Sequence, residues 1–188
     1  MYQLNDTILY GGHGVCKIAD ITKKALGGTM TDYYVLKPVY HESSTIYVPM
    51  KNKTLTEKMR RVLSADEVYR LISAMPFEDS IWVEDENERK ERYREILAHG
   101  DRLELMRMIK TLYMRQGQQQ EKGRRLHISD ERFFKEAEKL LYDEFALVLN
   151  LKPEQVLPFI LAQIEVDEKS GAEPPKQSSH CAEDNHPS

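Results

Sequence analysis

The chain is short of the features that define several large protein classes. Its 188 residues include only two cysteines, Cys16 and Cys181. One lies in a strand-like segment and the other in a polar stretch, which is no disulfide framework and points to a reducing compartment. No run approaches the roughly 20 apolar residues that a membrane-spanning helix needs. The first residues, Met1-Tyr2-Gln3-Leu4-Asn5-Asp6, have neither a basic head nor an apolar core, so they do not read as a signal peptide. The expected setting is the cytoplasm, without a membrane partner. The six histidines are scattered and form neither an HExxH pair nor a Cys/His ligand pattern. No metal or other cofactor is expected. Gly11-Gly12-His13-Gly14 lacks the Lys-Ser/Thr of a phosphate-binding loop and reads as a tight turn between strands. No pattern of catalytic residues emerges, and an enzyme is not expected.

Net charge is also small, at −4, but it is unevenly spread. Residues 102–126 carry seven Lys or Arg against two Asp or Glu, whereas residues 165–188 carry two against six. A near-neutral average therefore conceals a candidate basic face.

The first third alternates with period two. Thr7–Tyr10, Val15–Ile21, Thr31–Leu36 and Thr45–Val48 read as strands, with Gly27-Gly28 as a hairpin turn and Pro49 as a stop. Strands this short suggest a small curled sheet or barrel that must cover its own apolar face. After Pro49 the period becomes helical. Ser64 and Glu67 have capping-box spacing, and Val68, Leu71, Ile72 and Met75 mark one helix face. Further helices are expected over 84–99, with Gly100 as terminator, and from Asp101 to a point near Gly117. Ser129 is the expected cap of the next, which carries Phe133, Phe134, Ala137, Leu141 and Phe145 inward. Pro153 opens the last, which should end near Ile164. The domains are placed at 1–55 (β), 56–164 (helical) and 165–188 (a polar tail that cannot bury enough surface to fold).

Two basic clusters could contact phosphates: Arg89, Lys90, Arg92 and Arg94, and then Lys110, Arg115, Lys122, Arg124 and Arg125. Glu88, Glu91 and Glu95 dilute the first. The one tryptophan, Trp82, lies in a connector beside that cluster. It could wedge into a groove or stack on a base, or fill the helical core.

Several fragments then fall into a recognisable order. They are Tyr10-Gly11-Gly12-His13-Gly14-Val15, Tyr33-Tyr34-Val35-Leu36-Lys37, Ile46-Tyr47-Val48-Pro49, and Arg92-Tyr93-Arg94-Glu95-Ile96-Leu97-Ala98-His99-Gly100-Asp101. A long helix follows, and then Lys139-Leu140-Leu141 through Phe145-Ala146-Leu147. Together, over about residues 1–164, they resemble the CarD/CdnL family of bacterial RNA-polymerase-binding regulators, whose N-terminal domain also occurs in the transcription-repair coupling factor. The resemblance implies an SH3-like, Tudor-like β-barrel that docks on the polymerase β subunit, followed by an all-α domain at the upstream edge of the transcription bubble. It implies polymerase contacts at Lys23, Lys24, Thr45, Ile46, Tyr47 and Val48, partly by sheet augmentation. It implies mostly backbone DNA contacts by the helical domain, with Trp82 as the candidate wedge; with the basic clusters, the expected DNA-contacting residues are Trp82, Arg89, Lys90, Arg92, Arg94, Lys122, Arg124 and Arg125. The expected outcome is a monomeric regulator of open-complex stability. The alternative is a protein-interaction adaptor that does not touch DNA. Two departures stand out. Tyr47 occupies a position where some relatives carry arginine. Trp82 precedes Tyr93 by 11 positions, whereas in relatives the wedge tryptophan is only a few residues from the matching tyrosine, so that an ungapped match places Glu86 there.

Overall fold

The computed structural model describes residues 2–26, 29–40 and 44–170. An antiparallel sheet comes first: β1 (Thr7–Tyr10), β2 (Val15–Leu26), β3 (Thr29–Pro38), β4 (Ile46–Pro49) and β5 (Met59–Arg61). The strand order is β4-β3-β2-β1-β5. Leu26 pairs with Thr29, while Gly27 and Gly28, expected to form the turn, lie outside the described residues.

Period-two alternation explains the core of this sheet. Ile8, Tyr10, Cys16, Ile18, Tyr34, Leu36, Val48 and Met59 gather on one face. Between Ile18 and Asp20 the register shifts, with Ala19 as the extra residue of β2. Such a bulge bends the strand and sharpens its twist. Beyond it the β2–β3 arm carries the exposed side chains of Ile21 and Met30.

The expected barrel does not close, because no ladder joins β4 to β5 among the described residues. The physical reason is local. A single helical turn, α1 (Lys53–Thr56), capped by Asn52, separates these two short strands. Leu55, Met50 and Tyr2 cover the apolar face instead of a closing β4–β5 pairing. A boundary at residue 55 is also too early for the sheet, since β5 pairs with β1 through Ile8↔Arg61 and Tyr10↔Met59.

The helical part comprises α2 (Ala65–Ala74), α3 (Glu86–His99), α4 (Arg102–Glu121), α5 (Ile128–Leu149) and α6 (Pro153–Lys169). The Ser64–Glu67 capping box forms, with Ser64 N–H donating to Glu67 Oε2 at 2.8 Å and Glu67 N–H to Ser64 Oγ at 3.3 Å. Asp85 and Asp101 cap α3 and α4, and Gly100 ends α3 in the left-handed region at φ 62°. His127, not Ser129, caps α5: its ring accepts from Ser129 N–H, and Ser129 sits inside the first turn.

Two helices outrun their expected ends. Helix α4 continues through Gly117 to Glu121. Helix α6 contains Pro158 yet extends beyond Ile164 to Lys169. Asp167 holds its last turns, accepting from Ser73 Oγ on α2 at 2.5 Å and from Gln163 Nε2 at 2.9 Å. The helical domain therefore reaches past residue 164, and residues 171–188 of the expected tail lie outside the described residues. Val68, Ile72, Tyr93, Met106, Met108, Leu112, Leu141, Phe145 and Ile160 fill the core between these helices. No single helix among the described residues is long and apolar enough to cross a membrane.

Candidate polymerase and nucleic-acid interfaces

Two surfaces carry the expected contacts. On the sheet, β4 is an edge strand, paired with β3 alone among the described residues, through Tyr34↔Val48 and Leu36↔Ile46. Its outer backbone groups can accept a further strand. Tyr47 is 45% exposed. Its ring meets Tyr33 edge-on at 6.4 Å, and Lys24 Nζ lies 3.6 Å from its centroid. An aromatic ring and a cation are thus combined on one edge. Lys23 lies 3.9 Å from Asp32 in an exposed pair, and Thr45 is exposed. Val48 is wholly buried in the sheet core, so its side chain cannot contact a partner.

On the helical side, Arg89 overturns its expected placement. It is 5% exposed. Its Nε and Nη2 donate to the two carboxylate oxygens of Asp130, each at 3.1 Å. Its Nη1 donates to Val83 O at 2.7 Å and to Glu84 O at 3.2 Å. All three guanidinium nitrogens donate, and Arg89 is a core residue that ties the connector to α5.

Trp82 belongs to the same cluster. Its ring lies between the guanidinium of Arg89 at 4.2 Å and that of Arg115 at 4.1 Å. It is partly buried against the helical core, and its Nε1 is enclosed without a hydrogen-bond partner among the described residues. In this conformation the indole is not presented as a free wedge. Ile81 N–H donates to Thr111 Oγ1 at 3.0 Å, and Lys110 Nζ donates to the carbonyls of Pro76 and Glu78, so the connector itself is fastened to α4. Arg115 also reaches Glu84 at 3.2 Å.

The remaining cations of α3 stay outside. Lys90 pairs with Glu86, Arg94 with Glu91 and Arg92 with Glu104. Lys90 and Arg94 line one wall of a groove whose opposite wall is the start of α5, where His127, Ser129 and Arg132 stand. The α5 amino terminus adds the positive end of its dipole. Lys122, Arg124 and Arg125 are exposed where α4 ends, and none forms an ion pair among the described residues. Nearby, the Glu131 carboxyl is held below its usual range, chiefly by its hydrogen bond to Lys135, with Arg125 adding to the effect.

Sequence reasoning missed His127 and Arg132, which reach the groove only because α5 packs on α3. Among the described residues, no group of three or more His, Cys, Asp or Glu side chains could hold a metal ion.

Comparison with known domains decides the family. Residues 2–63 match the CarD-like/TRCF RID domain, and residues 67–160 match the CarD C-terminal domain. The chain belongs to the CarD family. These domains mark an RNA polymerase-interacting transcription regulator, in a family of non-enzymatic transcription factors. The first match ends two residues beyond β5, and the second begins inside α2, so this CarD-family protein divides where its sheet gives way to helices.

Proposed function

We propose that the β-domain of this CarD-family protein docks on the β subunit of RNA polymerase through the β4 edge, while the helical domain contacts promoter DNA at the upstream edge of the bubble. The observation that carries the reading is the edge of β4, unpaired among the described residues, with Tyr47 exposed and Lys24 stacked on it, inside a matched RID domain. Main-chain pairing along an edge supplies affinity, and the Tyr47–Lys24 pair supplies the side-chain contact.

The DNA-contacting residues are Lys90, Arg92, Arg94, Lys122, Arg124 and Arg125, joined by Arg132 across the groove. They contact phosphates, which position the protein without reading sequence. Trp82 reaches DNA only by leaving the space between Arg89 and Arg115. A protein held to polymerase needs only weak DNA affinity, because tethering raises the local concentration of the second contact. Binding the opened promoter better than the closed one then shifts their equilibrium by that difference in affinity. The test is the lifetime of a polymerase–promoter open complex with and without the protein. A longer lifetime, reduced by rising salt, supports the reading.

One observation favours a second reading, that of an adaptor which does not touch DNA. Lys90, Arg92 and Arg94 each have a carboxylate partner on the helical surface. Polymerase binding with no change in open-complex lifetime supports the adaptor.

A further inference from the structure

The sheet and the helices meet along a seam of buried charge. Glu144, in the C-terminal third of α5, is only 1% exposed. Its Oε1 accepts from Leu63 N–H and from Arg102 Nη2, each at 2.8 Å, and its Oε2 accepts from Arg102 Nε at 2.8 Å. The same Arg102 Nη2 donates to Arg61 O of β5 at 2.6 Å. Arg60, also on β5, returns the grip, donating to the carbonyls of His99 and Gly100 at 2.6 Å each. Those are terminal carbonyls of α3, which have no partner within their own helix. The backbones approach so closely that a Cβ on Gly100 would stand 3.1 Å from Arg60 Nη2 and 3.5 Å from Gly11 O.

This geometry differs in kind from an apolar contact. Strand β5 has three residues and, among the described residues, pairs on one side only, with β1. Apolar packing alone would let it slide or rock. A two-oxygen carboxylate that receives an arginine fork and a backbone N–H is satisfied in one arrangement. We infer that Glu144 is a positioning residue: with Arg102 and Arg60 it fixes one angle between the domains, so that docking of the sheet on polymerase determines where the helical groove lies on DNA. The functional half of this inference rests on the proposed function; the orienting half does not.

The experiment uses the full chain, unlabelled for function and spin-labelled for geometry at Lys37→Cys and Glu154→Cys in a Cys181→Ser background. Glu144→Gln keeps the shape and an acceptor for Leu63 but removes the charge that holds Arg102. Arg60→Ala loosens the seam without leaving a charge buried in α5, and serves if the first variant folds poorly. The expected result is one narrow label-to-label distance in the parent and a broadened distribution in both variants. Polymerase affinity stays within about twofold, and the lengthening of open-complex lifetime drops on the order of threefold to tenfold as tethering loses its geometry. Narrow distances in both variants overturn the inference, whatever the promoter assay reads. Broadened distances with an undiminished lifetime overturn the positioning role. A parent protein without effect on the open complex removes the proposed function, while broadened distances still assign the orienting role to Glu144.

Discussion

Arg89 and Asp130 stand 41 positions apart in the chain, yet meet in a two-pronged ion pair with side chains 6% and 3% exposed. The pair lies under Trp82, whose ring rests on the same guanidinium. Removing one partner leaves the other charge buried without compensation, which costs about 3–5 kcal/mol. Arg89→Met is therefore expected to destabilise the helical domain by about that amount, measured by urea unfolding through the fluorescence of Trp82. The double variant Arg89→Met/Asp130→Leu recovers most of the stability, because no orphan charge remains.

The groove cations are expected to behave in the opposite way. Lys90→Ala, Arg94→Ala and Arg132→Ala each remove an ion pair with an exposed or half-exposed carboxylate, which changes stability by less than about 1 kcal/mol. Their effect falls on DNA. Removing one phosphate neighbour lowers the slope of log affinity against log salt by about 0.9 for duplex DNA. Titrating a labelled promoter fragment at several salt concentrations measures it, and Arg124→Ala/Arg125→Ala repeats the test at the end of α4.

At the sheet edge, Tyr47 and its neighbour Val48 make a built-in control. Tyr47→Ala is expected to weaken polymerase binding by at least about tenfold, as an exposed aromatic hot spot does, with little change in melting temperature. Val48→Ala, at a position with 0% exposure, costs about 2 kcal/mol of stability through reduced burial and the space left behind. Its effect on polymerase follows from unfolding alone. Calorimetry together with a polymerase pull-down separates the two.

Acid sensitivity is expected where the sheet passes into α2. The Glu67 carboxyl is held far below the usual carboxylate range, first by its hydrogen bond with Arg61 and then by the Ser64 N–H. A depressed folded-state value means that its contribution is fully present above the unfolded value of about pH 4.3 and is lost as pH falls toward the folded one. Glu67→Gln should therefore flatten the acid limb of a stability–pH curve and leave its slope near neutrality unchanged.

The features legible in the sequence are those that chemistry fixes locally. Alternating strands, the Ser64–Glu67 box, Asp101 as a cap and Gly100 as a terminator each depend on residues a few positions apart. Features set by distant partners are not legible in this way. Helix α6 reaches Lys169 because Asp167 meets Ser73, 94 positions away. The barrel stays open because α1 fills the gap between β4 and β5. His127 and Arg132 join the groove only when α5 packs on α3. Arg89 does carry a signal. It stands four residues before Tyr93 and seven before Ile96, on the buried stripe of α3, and an arginine on such a stripe requires a buried carboxylate. Its charge points to the surface, its spacing to the core, and the spacing is the better guide.

The most direct test of the account is to time promoter open complexes formed by RNA polymerase, challenged with a competitor, in the presence of the wild-type protein or Tyr47→Ala. Wild type is expected to lengthen the lifetime, and Tyr47→Ala, though fully folded, to do so only at concentrations at least about tenfold higher. A wild-type protein that binds polymerase but leaves the lifetime unchanged, or a Tyr47→Ala variant as potent as the wild type, would contradict it.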